Sequence, residues 1–182
     1  MEVMLLRMFQ RQIDLQCKGA IVASNSASNS LVLGDGEGFW LHIQSFLTCV
    51  ANISKALWGQ GGSLETPREP LRQSLHVADD SPLRPTSMRN NFDHFDDRLD
   101  EWWADDPNHN FIQIIGPRNS IVGIPQERII RHFDPTTAEL IFFGDSYPIN
   151  EIMQAITTLR TLAQAESQKP HWEPPTVAGV GQ

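Results

Sequence analysis

Residues 86–103 read Thr86-Ser87-Met88-Arg89-Asn90-Asn91-Phe92-Asp93-His94-Phe95-Asp96-Asp97-Arg98-Leu99-Asp100-Glu101-Trp102-Trp103. Met88, Phe92, Phe95, Leu99 and Trp102 alternate steps of four and three, the spacing that puts side chains on one stripe of an α-helix. Such a stripe buries against neighbouring helices, so this stretch argues for a helical bundle. Thr86 or Ser87 is placed to cap the first turn, where a hydroxyl can accept from an otherwise unpaired backbone N–H. Asp105 and Asp106 end the pattern, and Pro107 stops its continuation.

Upstream, Val3, Leu6, Met8, Ile13, Leu15 and Ile21 predict a first helix ending at Ser24, before a small polar run to Ser30 and the glycines Gly34, Gly36 and Gly38. Trp40, Ile43, Phe46, Leu47, Val50, Ile53 and Leu57 predict a second helix, stopped by Gly59, Gly61 and Gly62. Pro67 suits the start of a short third helix through Leu71 and Leu75. Downstream, Phe111 to Ile115 is β-prone and ends at Gly116-Pro117. Arg128 to Phe133 and Glu139 to Phe143 flank Asp134-Pro135-Thr136-Thr137, which reads as a hairpin turn. Ile152, Ile156, Leu159 and Leu162 restore helical spacing over Ile149 to Ala165. The expected fold is mainly α, a bundle of about five helices with a small antiparallel β insertion before the last one. Residues 1–166 read as one domain with the insertion at 111–143, and 167–182 as a loosely ordered tail containing Pro and Gly.

With 14 Lys and Arg against 22 Asp and Glu, the formal charge is −8. An acidic surface repels phosphates at long range, which argues against passive, sequence-independent binding to duplex nucleic acid. Seven of those acids fall between Asp93 and Asp106, while Arg118, Arg128, Arg131 and His132 concentrate positive charge in the β insertion. No apolar run approaches the length of a membrane span, and Met1 to Leu15 lacks the continuous apolar core of an export signal. Cys17 and Cys49 each sit in an apolar-periodic stretch and are expected as buried free thiols in a reducing cytoplasm.

On a helix wheel with Met88 at zero, the apolar stripe covers about 320° to 60°, Arg89 falls near 100° and His94 near 240°. Both therefore border the polar face, with Asn90, Asp93 and Asp97 between them. Arg89-Asn90-Asn91-Phe92-Asp93-His94 resembles the R-x-x-x-x-H motif of the HEPN superfamily, helical bundles that are often dimeric and often metal-independent ribonucleases of toxin–antitoxin, abortive-infection and CRISPR systems. The polar Asn90 directly after the arginine matches the family preference. Where some members carry a tyrosine two residues after the histidine, this chain has Asp96. The resemblance implies that His94 moves a proton to or from the ribose 2′-hydroxyl or the leaving 5′-oxygen. It further implies that Arg89 stabilises the phosphorane, that Asn90 orients the phosphate, and that a homodimer forms. An imidazole exchanges protons near neutral pH and a guanidinium offers fixed donors to phosphate oxygens, so the residue types suit those roles without a metal or cofactor. Arg118, Arg128 and Arg131 are the expected RNA contacts.

Two other readings of the same residues stay open. A HEPN-like bundle without catalysis would bind nucleotides, RNA or a regulatory protein such as an antitoxin. Alternatively, Arg89 with Asp93 and His94 with Arg98 are the i,i+4 pairs of an ordinary solvated helix face. The chain contains no Glu-x-x-His pair for a dimetal bundle and no Gly-x-Ser-x-Gly nucleophile elbow. His42 lies two turns before Cys49, too far to activate it. Trp40, Trp58, Trp102 and Trp103 are expected in the core or at a subunit interface, since the adjacent rings of the last two cannot share one narrow stripe.

Overall fold

The structure is a computed structural model that describes residues 1–85, 87, 91, 94–105 and 111–174. It is mainly α, with a small sheet placed before the last helix. The described residues form two compact units. The first holds the chain up to Pro85 and from Met153 onward, and the second the chain from Ser87 to Ile152. The second unit thus contains the strands and the helix that follows His94.

In the first unit, α1 (Val3–Leu33) and α2 (Gly36–Trp58) pack as a hairpin. Helix α1 does not end at Ser24; it continues through the serine run to Gly34, which takes the left-handed conformation (φ 69°) while the Asp35 N–H donates to Ser30 O at 2.9 Å. Serine is a modest helix former, but Ala20, Ala23, Ala27 and Ser30 are buried and small, so tertiary packing outweighs propensity. Asp35 caps α2 by accepting from the Gly38 N–H at 2.9 Å. A Cβ on Gly38 would strike that carboxylate, so this glycine belongs to the first turn of α2 and not to a connecting loop. Trp40 and Trp58 are buried as expected, and Cys17 is buried while Cys49 is half-buried.

Helix α3 (Glu69–Ser74) is anchored by Leu71, Leu75 and two arginines. Arg72 is buried and donates to Leu57 O and Glu65 O, and Arg68 lies over the Phe9 ring at 3.6 Å. The last helix, α5 (Ile149–Ser167), presents Glu166 to Arg7 of α1 at 3.0 Å. Arg7 also donates to Gln10 and to Glu173 O, and Gln10 to Ser74, so a buried polar chain crosses the first unit. Among the described residues, no helix is long and apolar enough to cross a membrane.

The second unit contains α4 (Phe95–Asp105) and a sheet ordered β1 (Gln113–Ile115), β2 (Arg131–Asp134), β3 (Glu139–Phe142), β4 (Asp145–Pro148). β2 and β3 form the expected antiparallel hairpin across Asp134 to Ala138. The sheet is not wholly antiparallel, because β1 joins β2 in parallel; residues 116–130 supply the long connection that a parallel pair needs. β4 extends the sheet beyond the expected boundary at Phe143. The β3–β4 link is the two-residue turn Phe143-Gly144, with positive φ at both positions (47° and 81°), as a tight hairpin requires. Ile112, Ile129 and Ile141 form a core on this sheet with Ile121 and Ile124 packed against it.

Candidate functional site

Arg89 and Asn90 lie outside the described residues, as do Thr86, Met88, Phe92 and Asp93. His94 is described, at the turn that leads into α4. Its side chain is 58% exposed, and Nδ1 faces Asp97 Oδ2 one helical turn later at 3.4 Å. With Nδ1 beside this carboxylate, Nε2 is the ring nitrogen turned away from it. The anticipated His94–Arg98 pair does not form, since Arg98 turns to Glu101 at 2.7 Å. Asp96, Asp97, Asp100 and Glu101 are exposed on α4, so His94 stands in a strongly acidic setting.

Asn91 is 3% exposed and is bonded to the β3–β4 hairpin. Its amide donates to Asp145 Oδ2 at 2.8 Å, with Phe142 O and Tyr147 Oη at 3.2 Å. Tyr147 also reaches Ser87 and Asp145. Burial, reinforced by the Asp145 charge, pushes the Tyr147 phenol well above its usual range. The sequence offered Ser87 only as a helix cap and assigned Asn91, Asp145 and Tyr147 no role. Two signals pointed to them: Asn91 adjoins the apolar stripe, at about 300° on the wheel, and Tyr147 is the single tyrosine of the chain.

The three arginines expected to meet RNA have different surroundings. The Arg131 guanidinium lies over the rings of Phe95 and Phe142 at 5.2 and 5.6 Å, and its burial lowers its pKa. Phe95 follows His94 directly, so Arg131 is brought to the start of α4. Arg128, half-buried, lines a cleft of about 310 Å³ with Arg98, Glu101, Trp102, Asp105 and Phe143. Arg118 belongs to the far end of β2, where its backbone N–H donates to Asp134 Oδ2 at 2.7 Å. Asp134 is three residues from Arg131, about 10 Å along the strand.

His132 is no part of a positive strand face, because it is 1% exposed and its Nε2 bonds Gly116 O at 2.8 Å. Its neighbour Asp134 is buried and accepts from the Thr136 hydroxyl and N–H as well as from Arg118. Those hydrogen bonds, the Thr136 hydroxyl foremost, hold its carboxyl down at about 2. The tryptophan pair splits: Trp102 is buried and donates to Arg128 O at 3.1 Å, while Trp103 is 58% exposed. No protein-family model matches the chain, and no match is found among curated proteins or solved structures.

Proposed function

We propose that the protein is a metal-independent endoribonuclease of the HEPN type, acting in the cytoplasm as a homodimer in a toxin–antitoxin or defence system. His94 Nε2 takes the proton of a ribose 2′-hydroxyl as its oxygen attacks the adjacent phosphorus. Arg89 neutralises the charge of the phosphorane, and Asn90 hydrogen-bonds a phosphate oxygen. The bond to the 5′-oxygen then breaks and that oxygen takes the proton back from the imidazolium, leaving a 2′,3′-cyclic phosphate and a 5′-hydroxyl. Arg131, Arg128 and Arg118 steer the RNA backbone past the carboxylates of α4.

The observation that carries this reading is His94 itself, exposed at the head of α4 with Nδ1 turned to Asp97. The experiment is cleavage of a single-stranded RNA in excess EDTA by the wild type, His94→Ala and Arg89→Ala. Loss of at least a hundredfold in both variants, with unchanged circular dichroism, supports it; equal cleavage by all three overturns it.

A second reading keeps the bundle and drops the chemistry. The exposed carboxylates Asp96, Asp97, Asp100 and Glu101 suit a basic partner, such as an antitoxin segment, docking on α4. Saturable, salt-sensitive binding of a basic peptide or of nucleotides without turnover favours it, and absence of any binding counts against it.

A further inference from the structure

Arg72 of α3 is a buried arginine with one edge unused. Its Nη1 donates to Leu57 O at 3.0 Å and to Glu65 O at 2.7 Å, and the guanidinium carbon lies 5.9 Å from the Trp58 ring. Those contacts orient the guanidinium plane. The side chain is only 7% exposed, yet Nε and Nη2 hydrogen-bond to no described residue; Asp79 Oδ1 stands 3.7 Å from Nε, beyond bonding range. Neither nitrogen is sealed in the interior as the Nε atoms of Arg7 and Arg160 are. Arg72 lines a cleft of about 680 Å³ together with Ser63, Thr66, Glu69, Gln73 and Asp79, and Nε and Nη2 are the nitrogens left to meet it. That pair is the fork with which a guanidinium takes both oxygens of a carboxylate. The wall opposite is built by a turn: His76, at φ 51°, ends α3 in the left-handed conformation, and the Val77 N–H returns to Arg72 O at 2.9 Å, which sets Asp79 beside the fork.

The charges of the cleft define what fits it. Glu65 is paired with Arg84 at 2.7 Å, and Arg84 also donates to Asp79 O, which fixes the turn. Of the other charged groups in the lining, Glu69 and Asp79 stand against Arg72 alone. A matching ligand therefore carries one carboxylate for the fork and two cationic groups for the acids, whereas a phosphate or a dicarboxylate would suit the fork and be repelled by both acids. Because Asp79 Oδ1 is so near Nε, the first cation has to adjoin the bound carboxylate, as the ammonium of an α-amino acid does. Glu69 lies one helical turn from Arg72 and is within reach of a longer side chain. We infer that this cleft binds a free basic amino acid, lysine or arginine. The α-carboxylate sits on the Nε–Nη2 edge of Arg72, the α-ammonium on Asp79 and the side-chain cation on Glu69.

Every residue of this site belongs to the first unit, and its test reads binding and not RNA cleavage, so it stands or falls apart from the ribonuclease reading. Isothermal titration calorimetry on the full chain compares L-lysine, L-arginine, agmatine, L-norleucine and inorganic phosphate. Lysine and arginine are expected to bind saturably. Agmatine, which is arginine without its carboxylate, and norleucine, which lacks the side-chain ammonium of lysine, should each bind at least about tenfold more weakly than the parent amino acid. Glu69→Gln and Asp79→Asn, both at exposed positions, should weaken lysine binding by a similar factor with circular dichroism unchanged. Arg72→Lys keeps the charge and removes the fork, so it too should bind lysine at least about tenfold more weakly; if that variant does not fold, the comparison of agmatine with arginine reads the same contact. The inference is overturned if neither amino acid binds saturably, if agmatine equals arginine or norleucine equals lysine, or if the folded variants bind lysine as the wild type does. Phosphate binding more tightly than lysine overturns it in favour of a simple anion site.

Discussion

The Asn91 amide donates to the carboxylate of Asp145, the first residue of β4, at 2.8 Å. Two N–H groups are shared among three acceptors, all part of or beside the β3–β4 hairpin. Asn91→Ala strips Asp145 and Tyr147 of this donor inside the unit, at a cost of about 1–3 kcal/mol. Asn91→Asp costs more, because it sets a second carboxylate beside the first. Urea denaturation followed by tryptophan fluorescence measures both, and a neutral Asn91→Asp would show that the cluster contributes nothing.

Gly19 of α1 faces Cys49 of α2, with 2.8 Å between an added Cβ and Cys49 Sγ. Gly19→Ala gains helix propensity of about 1 kcal/mol but overpacks this contact, so a net loss of about 1–2 kcal/mol is expected. In the Cys49→Ala background the same change should become stabilising. Additive effects in the double-mutant cycle would contradict the contact.

Glu166 and Arg7 form a buried ion pair, with side chains only 8% and 4% exposed. Glu166→Ala leaves the guanidinium in the interior without its counter-charge and should cost about 3–5 kcal/mol. Thermal denaturation of Glu166→Ala beside Arg7→Met/Glu166→Leu separates the cost of breaking the pair from the value of having it: the double replacement is expected to be the milder.

Asp134 titrates at about 2 in the folded chain, below its ordinary 3.8. Its hydrogen bonds to Thr136 and Arg118 therefore stabilise the second unit fully above the unfolded value and are lost as pH falls through the folded one. The stability difference between wild type and Asp134→Asn is expected to stay constant from pH 7 to 5 and to shrink between about pH 4 and 2. A difference that does not change with pH would disprove the assignment.

Burial, with the Asp14 charge added, pushes the Cys17 thiol up to about 12, and burial alone raises Cys49. With the thiolate suppressed, Cys17 should resist iodoacetamide at pH 8 until the chain is unfolded. Mass spectrometry after brief labelling reads this directly, and rapid modification of native Cys17 would refute its burial.

Much of the helical part was legible because helix formation leaves a local record. The steps of three and four from Trp40 to Leu57 and from Ile152 to Leu162 mark α2 and α5, and Asp134-Pro135-Thr136-Thr137 marks the β2–β3 turn. The β3–β4 turn was hidden by Phe143, a strand former held at positive φ, whose ring packs against Phe95 at 5.4 Å. His132 read as a surface charge because its polar type says nothing of the Gly116 carbonyl that meets it sixteen residues away.

By itself the sequence determined the helical runs of α2 and α5, the β2–β3 hairpin, the acidic balance, and the spacing of Arg89 and His94, since periodicity and charge are properties of neighbours along the chain. Only tertiary structure decided that α1 runs through its serines, that β1 lies parallel to β2, that Trp102 is covered while Trp103 is exposed, and that Asn91 bonds Asp145. Those outcomes depend on burial and on hydrogen-bond partners distant in sequence, whose energies exceed the small local preferences they override.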